Sequence, residues 1–158
     1  MTYTIDFLYI QHMEGGIKKY TVGFIFNKDL SKVLLVHKTA PAWQIGLING
    51  VGGKIEQGEK SIDCIVREVK EETNLSIPKR NWLSVGILDG GATVEVYGAV
   101  YKGDTFKAYV FEKEKIEWFP VNKLPENLIT NLTWLIPLTL EKIKFRKVRR
   151  VKVKYIEF

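Results

Sequence analysis

Cysteine is nearly absent from this chain, and so are long apolar runs. With Cys64 as its single cysteine there can be no intramolecular disulfide and no Cys-x-x-Cys metal site, so the expectation is an intracellular, cytoplasmic protein. No apolar run approaches the roughly 18–20 residues that cross a bilayer. The opening Met1-Thr2-Tyr3-Thr4-Ile5-Asp6 lacks the basic start and apolar centre of a signal peptide, and no membrane partner is expected. Histidine is scarce too: His12 and His37 have no second histidine or acid at ligand spacing and read as ordinary residues. No repeat, low-complexity segment or linker divides the chain. Its 158 residues therefore read as a single domain, 1–158, large enough to bury a core.

Hydrophobic residues make up 46% of the chain and aromatics 12%, which supports a globular domain. The formal charge is +6, unevenly placed, with much of the excess in residues 142–154, KIKFRKVRRVKVK. Such a run suits an anionic partner such as nucleic acid. Its alternation through Val151, Val153 and Tyr155 fits an edge strand with a solvated lysine face better, because no aromatic stacking platform accompanies it. The basic tail, 146–158, is thus expected to add a strand to a core of about residues 20–145.

Around residues 53–75, GKIEQGEKSIDCIVREVKEETNL, a glycine turn runs into an acidic helix. At about 100° per residue Glu68, Glu71 and Glu72 share one face, while Ile62, Ile65, Val66 and Val69 gather on another. Three carboxylates this close repel one another, and a solvated helix would interleave them with Lys or Arg. The stripe therefore asks for a cation. Carboxylate oxygens suit Mg²⁺ or Mn²⁺, and neither His nor Cys joins the cluster, which argues against zinc. The competing explanation is a salt-bridge network in which Arg67 reaches Glu59 or Glu71.

The spacing from Gly53 through Glu59 to Arg67-Glu68-Val69-Lys70-Glu71-Glu72-Thr73-Asn74-Leu75 resembles the box of the Nudix hydrolase superfamily, MutT-like in type. Asn74 stands where that family has glycine. The position follows a helix and is commonly left-handed, and asparagine is the next most tolerant residue there. The resemblance implies an α/β fold, the Nudix α/β/α sandwich with a mixed β-sheet. It also implies hydrolysis of a nucleoside diphosphate linked to a further group, by attack of water on phosphorus. Such a reaction needs a divalent cation to neutralise the phosphates and acidify the water. By position in the motif, metal binding falls to Glu68, Glu71 and Glu72 with the carbonyl of Gly52, while Glu59 and Arg67 orient the cluster. Which glutamate takes the proton stays open. Many members draw a further acid from a later loop, where Glu112 and Glu114 lie at about the right distance; Glu114 is the choice.

The remaining segments read as strands at 3–10, after which Gly15-Gly16 turns, then 20–26, 32–38, 82–88, 93–102, 106–111 and 116–121. A helix is expected over 131–144, with Pro137 kinking it or sitting in its first turn. The acidic helix should start near Lys60 or Ser61, with Ser61 as cap, and end at Thr73. The pattern Glu117-Trp118-Phe119-Pro120 to Leu124-Pro125, then Asn131 and Trp134, resembles the end of a Nudix domain.

The stretch Asn49-Gly50-Val51-Gly52-Gly53-Lys54 is most similar to Nudix enzymes that remove oxidised purine nucleoside triphosphates, in which an asparagine just before the box binds the base. The resemblance implies substrate contacts from Asn49, Gly53 and Lys54. Asn131 is a second base-binding candidate, since an amide both donates and accepts. Trp118 or Phe24 could stack on the base, against the alternative of core packing. The leading expectation is a (d)NTP pyrophosphohydrolase, acting on 8-oxo-dGTP-type substrates among others and giving the monophosphate and pyrophosphate. A second keeps the site and changes the substrate to ADP-ribose, a dinucleoside polyphosphate or a capped RNA 5′ end, the last not favoured. A third, a nucleotide-binding module without catalysis, is opposed by the complete set of box glutamates.

Overall fold

The computed structural model describes residues 17–156 with the exception of Lys107. The expected strand at 3–10, the Gly15-Gly16 turn and His12 lie outside the described residues. Among the described residues eight strands follow in chain order: β1 (Lys19–Phe26), β2 (Lys32–His37), β3 (Ile48–Asn49), β4 (Trp82–Asp89), β5 (Thr93–Val100), β6 (Ala108–Phe111), β7 (Glu114–Pro120) and β8 (Val151–Lys154). They form one sheet in the order β6-β7-β2-β1-β5-β4-β8, with β3 paired to β2. The pairs β1–β5 and β4–β8 are parallel and the others antiparallel, so the sheet is mixed.

Both faces of this sheet are covered, which is why its central strands are apolar on both sides rather than alternating. Phe24, Phe26, Val33, Leu35, Val94 and Val96 pack on one face with Leu132, Leu135 and Ile136 of helix α2 (Leu132–Phe145). Ile25, Leu34, Val36, Tyr97 and Ala99 pack on the other with Ile65 and Val69 of helix α1 (Ser61–Thr73). The two helices sandwich the sheet.

Several boundaries differ from the sequence reading. Strand β5 ends at Val100 rather than 102, β6 starts at Ala108, and β7 starts at Glu114, because Glu112 and Lys113 make a two-residue hairpin turn with Glu112 at φ 54°. Ser61 does not cap α1. Lys60 takes that place without a side-chain cap, and the Ser61 hydroxyl instead meets the Tyr97 hydroxyl at 2.6 Å. Pro137 lies inside α2, beyond its first turn, where its missing N–H withdraws the helical bond to the Thr133 carbonyl. Helix α1 ends as its sequence suggests: Asn74 is left-handed (φ 56°, ψ 6°), its N–H donates to the Lys70 carbonyl, and Lys70 Nζ donates to Asn74 Oδ1 at 2.9 Å. The basic run closes in β8 at the sheet edge. There Lys152 Nζ pairs with Asp89 at 2.9 Å and Arg150 pairs with Glu95.

One irregularity positions the site. Strand β2 is in register with β1 only at Ile25–Leu34 and Phe26–Val33, so the two strands part company over the first half of β1. The chain following β3 takes the vacated edge: Gly23 N–H donates to the Val51 carbonyl at 2.6 Å, Thr21 N–H to the Gly53 carbonyl at 2.8 Å, and Ile55 N–H to the Lys19 carbonyl at 2.9 Å. The sheet splits here, and the glycine stretch is wedged into the fork.

Candidate active site

Alternation along that segment decides where its polar groups point. Val51 and Gly53 spend their carbonyls on β1, so the N–H and C=O of the intervening Gly52 face away from it. The Gly52 N–H accordingly reaches Glu72 Oε2 at 3.3 Å. No side chain fits at Gly52, because a Cβ there would lie 2.1 Å from the Thr21 carbonyl oxygen. At Gly53 a Cβ would meet the Glu68 carboxylate at 2.4 Å. Bare backbone is thereby laid against the acidic face of α1.

The acids of that face fall into two environments. Arg67 sits among the first group: its Nε and Nη2 donate to the two oxygens of Glu59 at 2.8 and 3.0 Å, and its Nη1 is shared between Glu68 at 2.8 Å and Glu71 at 3.0 Å. Nη2 also donates to the Lys54 carbonyl at 3.2 Å. The hydrogen bonds from Arg67 hold the Glu59 carboxyl down at about 2, and the Arg67 guanidinium is raised in turn. The salt-bridge network weighed from the sequence therefore exists alongside the acidic stripe.

Glu72 stands apart from the guanidinium. Burial pushes its carboxyl up to about 8; the charge of Lys38 opposes this, and those of Glu68 and Glu114 add to it. Burial raises Glu68 as well, against the Arg67 hydrogen bond. Glu114 grips Lys38 Nζ at 3.0 Å and the Thr39 N–H at 3.0 Å, which brings it to the Glu72 side of the site; Glu112 lies in the hairpin turn. Cys64, beneath the loop, is buried against Thr21 Oγ1 at 3.3 Å and is pushed up to about 11, so it is an inert thiol.

Among the described residues no three acidic, histidine or cysteine groups are gathered into a ready metal cage. The donor chemistry nevertheless fits a hard divalent cation. Glu68, Glu71, Glu72 and the Gly52 carbonyl are all oxygen donors, and Glu72 is a buried carboxyl that a cation would ionise. Arg67 Nη1 is the donor such an ion would replace. The two bonds to Glu59 use other nitrogens and leave Arg67 anchored.

Beside this face lies a cleft of about 210 Å³, lined by Lys38, Pro41, Trp43, Gln44, Asn49, Gly50, Gly52 and Gly53 among others. Asn49 is placed there as the sequence suggests, with Gly50 N–H donating to its Oδ1 at 2.7 Å and its Nδ2 donating to Gln44 Oε1 at 3.2 Å. Opposite it in β2 is Val36, an aliphatic residue. Four other nominated residues are not among the described residues lining the cleft. Lys54 is exposed opposite Tyr20. Asn131 is the N-cap residue of α2, with a buried Oδ1 that makes no hydrogen bond to any described residue. Trp118 is 6% exposed and packed against Tyr101 and Phe106, with ring centroids at 6.3 and 5.8 Å, and Phe24 is wholly buried. A ring sealed in the core has no free face for a base, so core packing explains both aromatics.

Lys38, Trp43 and Gln44 belong to no motif of the sequence; the one signal that marks them is an aromatic–amide pair inside a Pro/Gly-bounded loop, 39–46.

A NUDIX domain model matches residues 18–138. The chain belongs to the Nudix family. Over 110 residues it is 34% identical to the m7GpppN-mRNA hydrolase of Saccharomyces cerevisiae, covering 66% of this chain and 11% of that protein. It is 29% identical over 106 residues to the oxidized purine nucleoside triphosphate hydrolase of Mus musculus, covering 63% and 67%. The chain thus spans about a tenth of the yeast relative's length. Among solved structures, the NUDIX domain of Shewanella oneidensis NrtR, complexed with ADP ribose, superposes with a TM-score of 0.65 at 19% identity, covering 82% of this chain and 90% of that one. The sandwich described above is thus the Nudix fold. Asn74 occupies the Nudix glycine position in the backbone conformation that glycine favours.

Proposed function

We propose that this chain is a divalent-metal-dependent pyrophosphohydrolase of nucleoside triphosphates, oxidised purine nucleotides included, releasing the monophosphate and pyrophosphate. The observation that carries this reading is the juxtaposition of the acidic face of α1, across Gly52, with a cleft that holds an asparagine amide. Glu68, Glu71, Glu72 and the Gly52 carbonyl would hold Mg²⁺ or Mn²⁺, with Glu114 as the further acid. Bound there, the ion would neutralise phosphate charge and acidify the attacking water. Glu59 holds Arg67, and Arg67 orients Glu68 and Glu71. The base that receives the water proton is one of the helix glutamates; burial pushes the Glu72 carboxyl up to about 8, and a bound cation would favour its ionised form. The expected setting is the cytoplasm.

Incubation with a panel of nucleoside triphosphates and Mg²⁺ tests the reading. The expected products are monophosphate and pyrophosphate, with Glu71→Gln slowed ~10²-fold or more. Absence of product from every triphosphate, or equal rates for the variant, refutes it. The yeast relative's name favours a second substrate, a 5′-capped RNA. Capped RNA, ADP-ribose and a dinucleoside polyphosphate therefore belong in the same panel, and cleavage of one of these in place of the triphosphates would transfer the assignment to it.

A further inference from the structure

Two amides at the cleft are tied together in a fixed sense. Only an oxygen can accept from the Gly50 N–H, so Asn49 presents Oδ1 to the loop backbone at 2.7 Å. Its Nδ2 must then face Gln44, and only an oxygen of Gln44 can accept it, at 3.2 Å. Gln44 is 8% exposed, held in a short 3₁₀ turn, Ala42–Gln44, between the cis peptide bond before Pro41 and Gly46. The chain of orientation runs from one backbone amide through Asn49 to Gln44. Gln44 Nε2 is left without a hydrogen bond to any described residue, and it is not among the polar atoms sealed from solvent. Both residues line the cleft, so what the pair offers a ligand is N–H: the second proton of Asn49 Nδ2 and the two of Gln44 Nε2.

We propose that Gln44 is a positioning residue that locks the Asn49 amide, and that the locked pair selects bases carrying a carbonyl oxygen at this edge, 6-oxopurines such as guanine, over 6-aminopurines. The inference deepens the proposed function and rests on it. Guanine presents O6 as an acceptor at this edge, whether or not C8 is oxidised, whereas adenine puts an N6 amino donor there. A donor pair is satisfied by the first and left facing a donor by the second, a discrimination of about tenfold or more. The direction is reversible by design. Asn49→Asp keeps an acceptor for Gly50 but presents a second acceptor to Gln44, whose amide must turn over to donate, leaving its oxygen toward the cleft.

The test is the ratio of dissociation constants for α,β-methylene dGTP and α,β-methylene dATP, measured calorimetrically with Mg²⁺. Wild type is expected to favour the guanine analogue about tenfold, Gln44→Leu to bring the ratio within about twofold, and Asn49→Asp to invert it. Gln44→Glu, close in shape, is expected to weaken the guanine analogue selectively, and thermal melting establishes that each variant is folded. A wild-type ratio near one, or a preference unchanged in Gln44→Leu and Asn49→Asp, overturns the inference while leaving hydrolysis untouched. Wild type that binds neither analogue also overturns this inference, while the hydrolysis panel decides separately whether the proposed function stands.

Discussion

Ionisation of Glu72 should make the metal-free protein lose stability as pH rises through neutrality. Its carboxyl lies at about 8 in the fold, against an ordinary 4.5, because burial disfavours the charged form more than Lys38 and the Gly52 N–H favour it. The native state therefore binds more protons than the unfolded chain between those two values, and stability falls as pH climbs through that interval. Each unit is worth about 1.4 kcal/mol, so the step from pH 5.5 to 8 costs roughly 3 kcal/mol, or ~6–12 °C in Tm for a domain of this size. Glu68, also raised by burial, acts in the same direction. Glu59, lowered to about 2 chiefly by the hydrogen bond from Arg67, contributes stability that is lost only as pH falls from about 4.5 toward 2, outside this window. Urea denaturation in a chelator at pH 5.5, 7 and 8.5 should thus show wild type weakening relative to Glu72→Gln, which carries no titrating group. Mg²⁺ at about 100 times its Kd should restore ~2.7 kcal/mol to wild type and less to the variant. A wild-type-minus-variant difference that stays flat with pH would refute the argument that Glu72 is a buried carboxyl awaiting a cation.

Three further outcomes follow from close contacts and helix-end geometry. Gly52→Ala drives a Cβ into the Thr21 backbone and should cost ~3 kcal/mol or more by urea unfolding, whereas Gly53→Ala meets only the end of the flexible Glu68 side chain. Gly53→Ala should melt within a few degrees of wild type yet bind Mn²⁺ at least about tenfold more weakly, read by paramagnetic relaxation, because the added methyl displaces Glu68, a proposed metal ligand. At the left-handed Asn74, substitution by alanine should cost about 1–2 kcal/mol and by glycine essentially nothing; equal effects of the two would contradict the conformational explanation of this departure from the Nudix box.

How much of the site could be read from the chain depends on whether a feature is local or long-range. Period and spacing along one helix put Glu68, Glu71 and Glu72 on one face and the core residues on another, independently of anything the helix packs against. They also raised the expectation of a hard cation and accounted for Asn74, because helix periodicity and a left-handed terminus are set within a few residues. The tertiary structure decided what no spacing encodes. Divergence of β2 from β1 made the fork that receives Gly50 to Gly53, turned Gly52 toward Glu72, and opened the cleft onto Lys38, Trp43 and Gln44. Pairing of β2 with β7 brought Glu114 to Lys38 across 76 residues, while burial under Tyr101 and Phe106 withdrew Trp118 into the core. Helix periodicity follows from bonds within a few residues. The cleft follows from strand register across the whole sheet, and only the folded chain settles that.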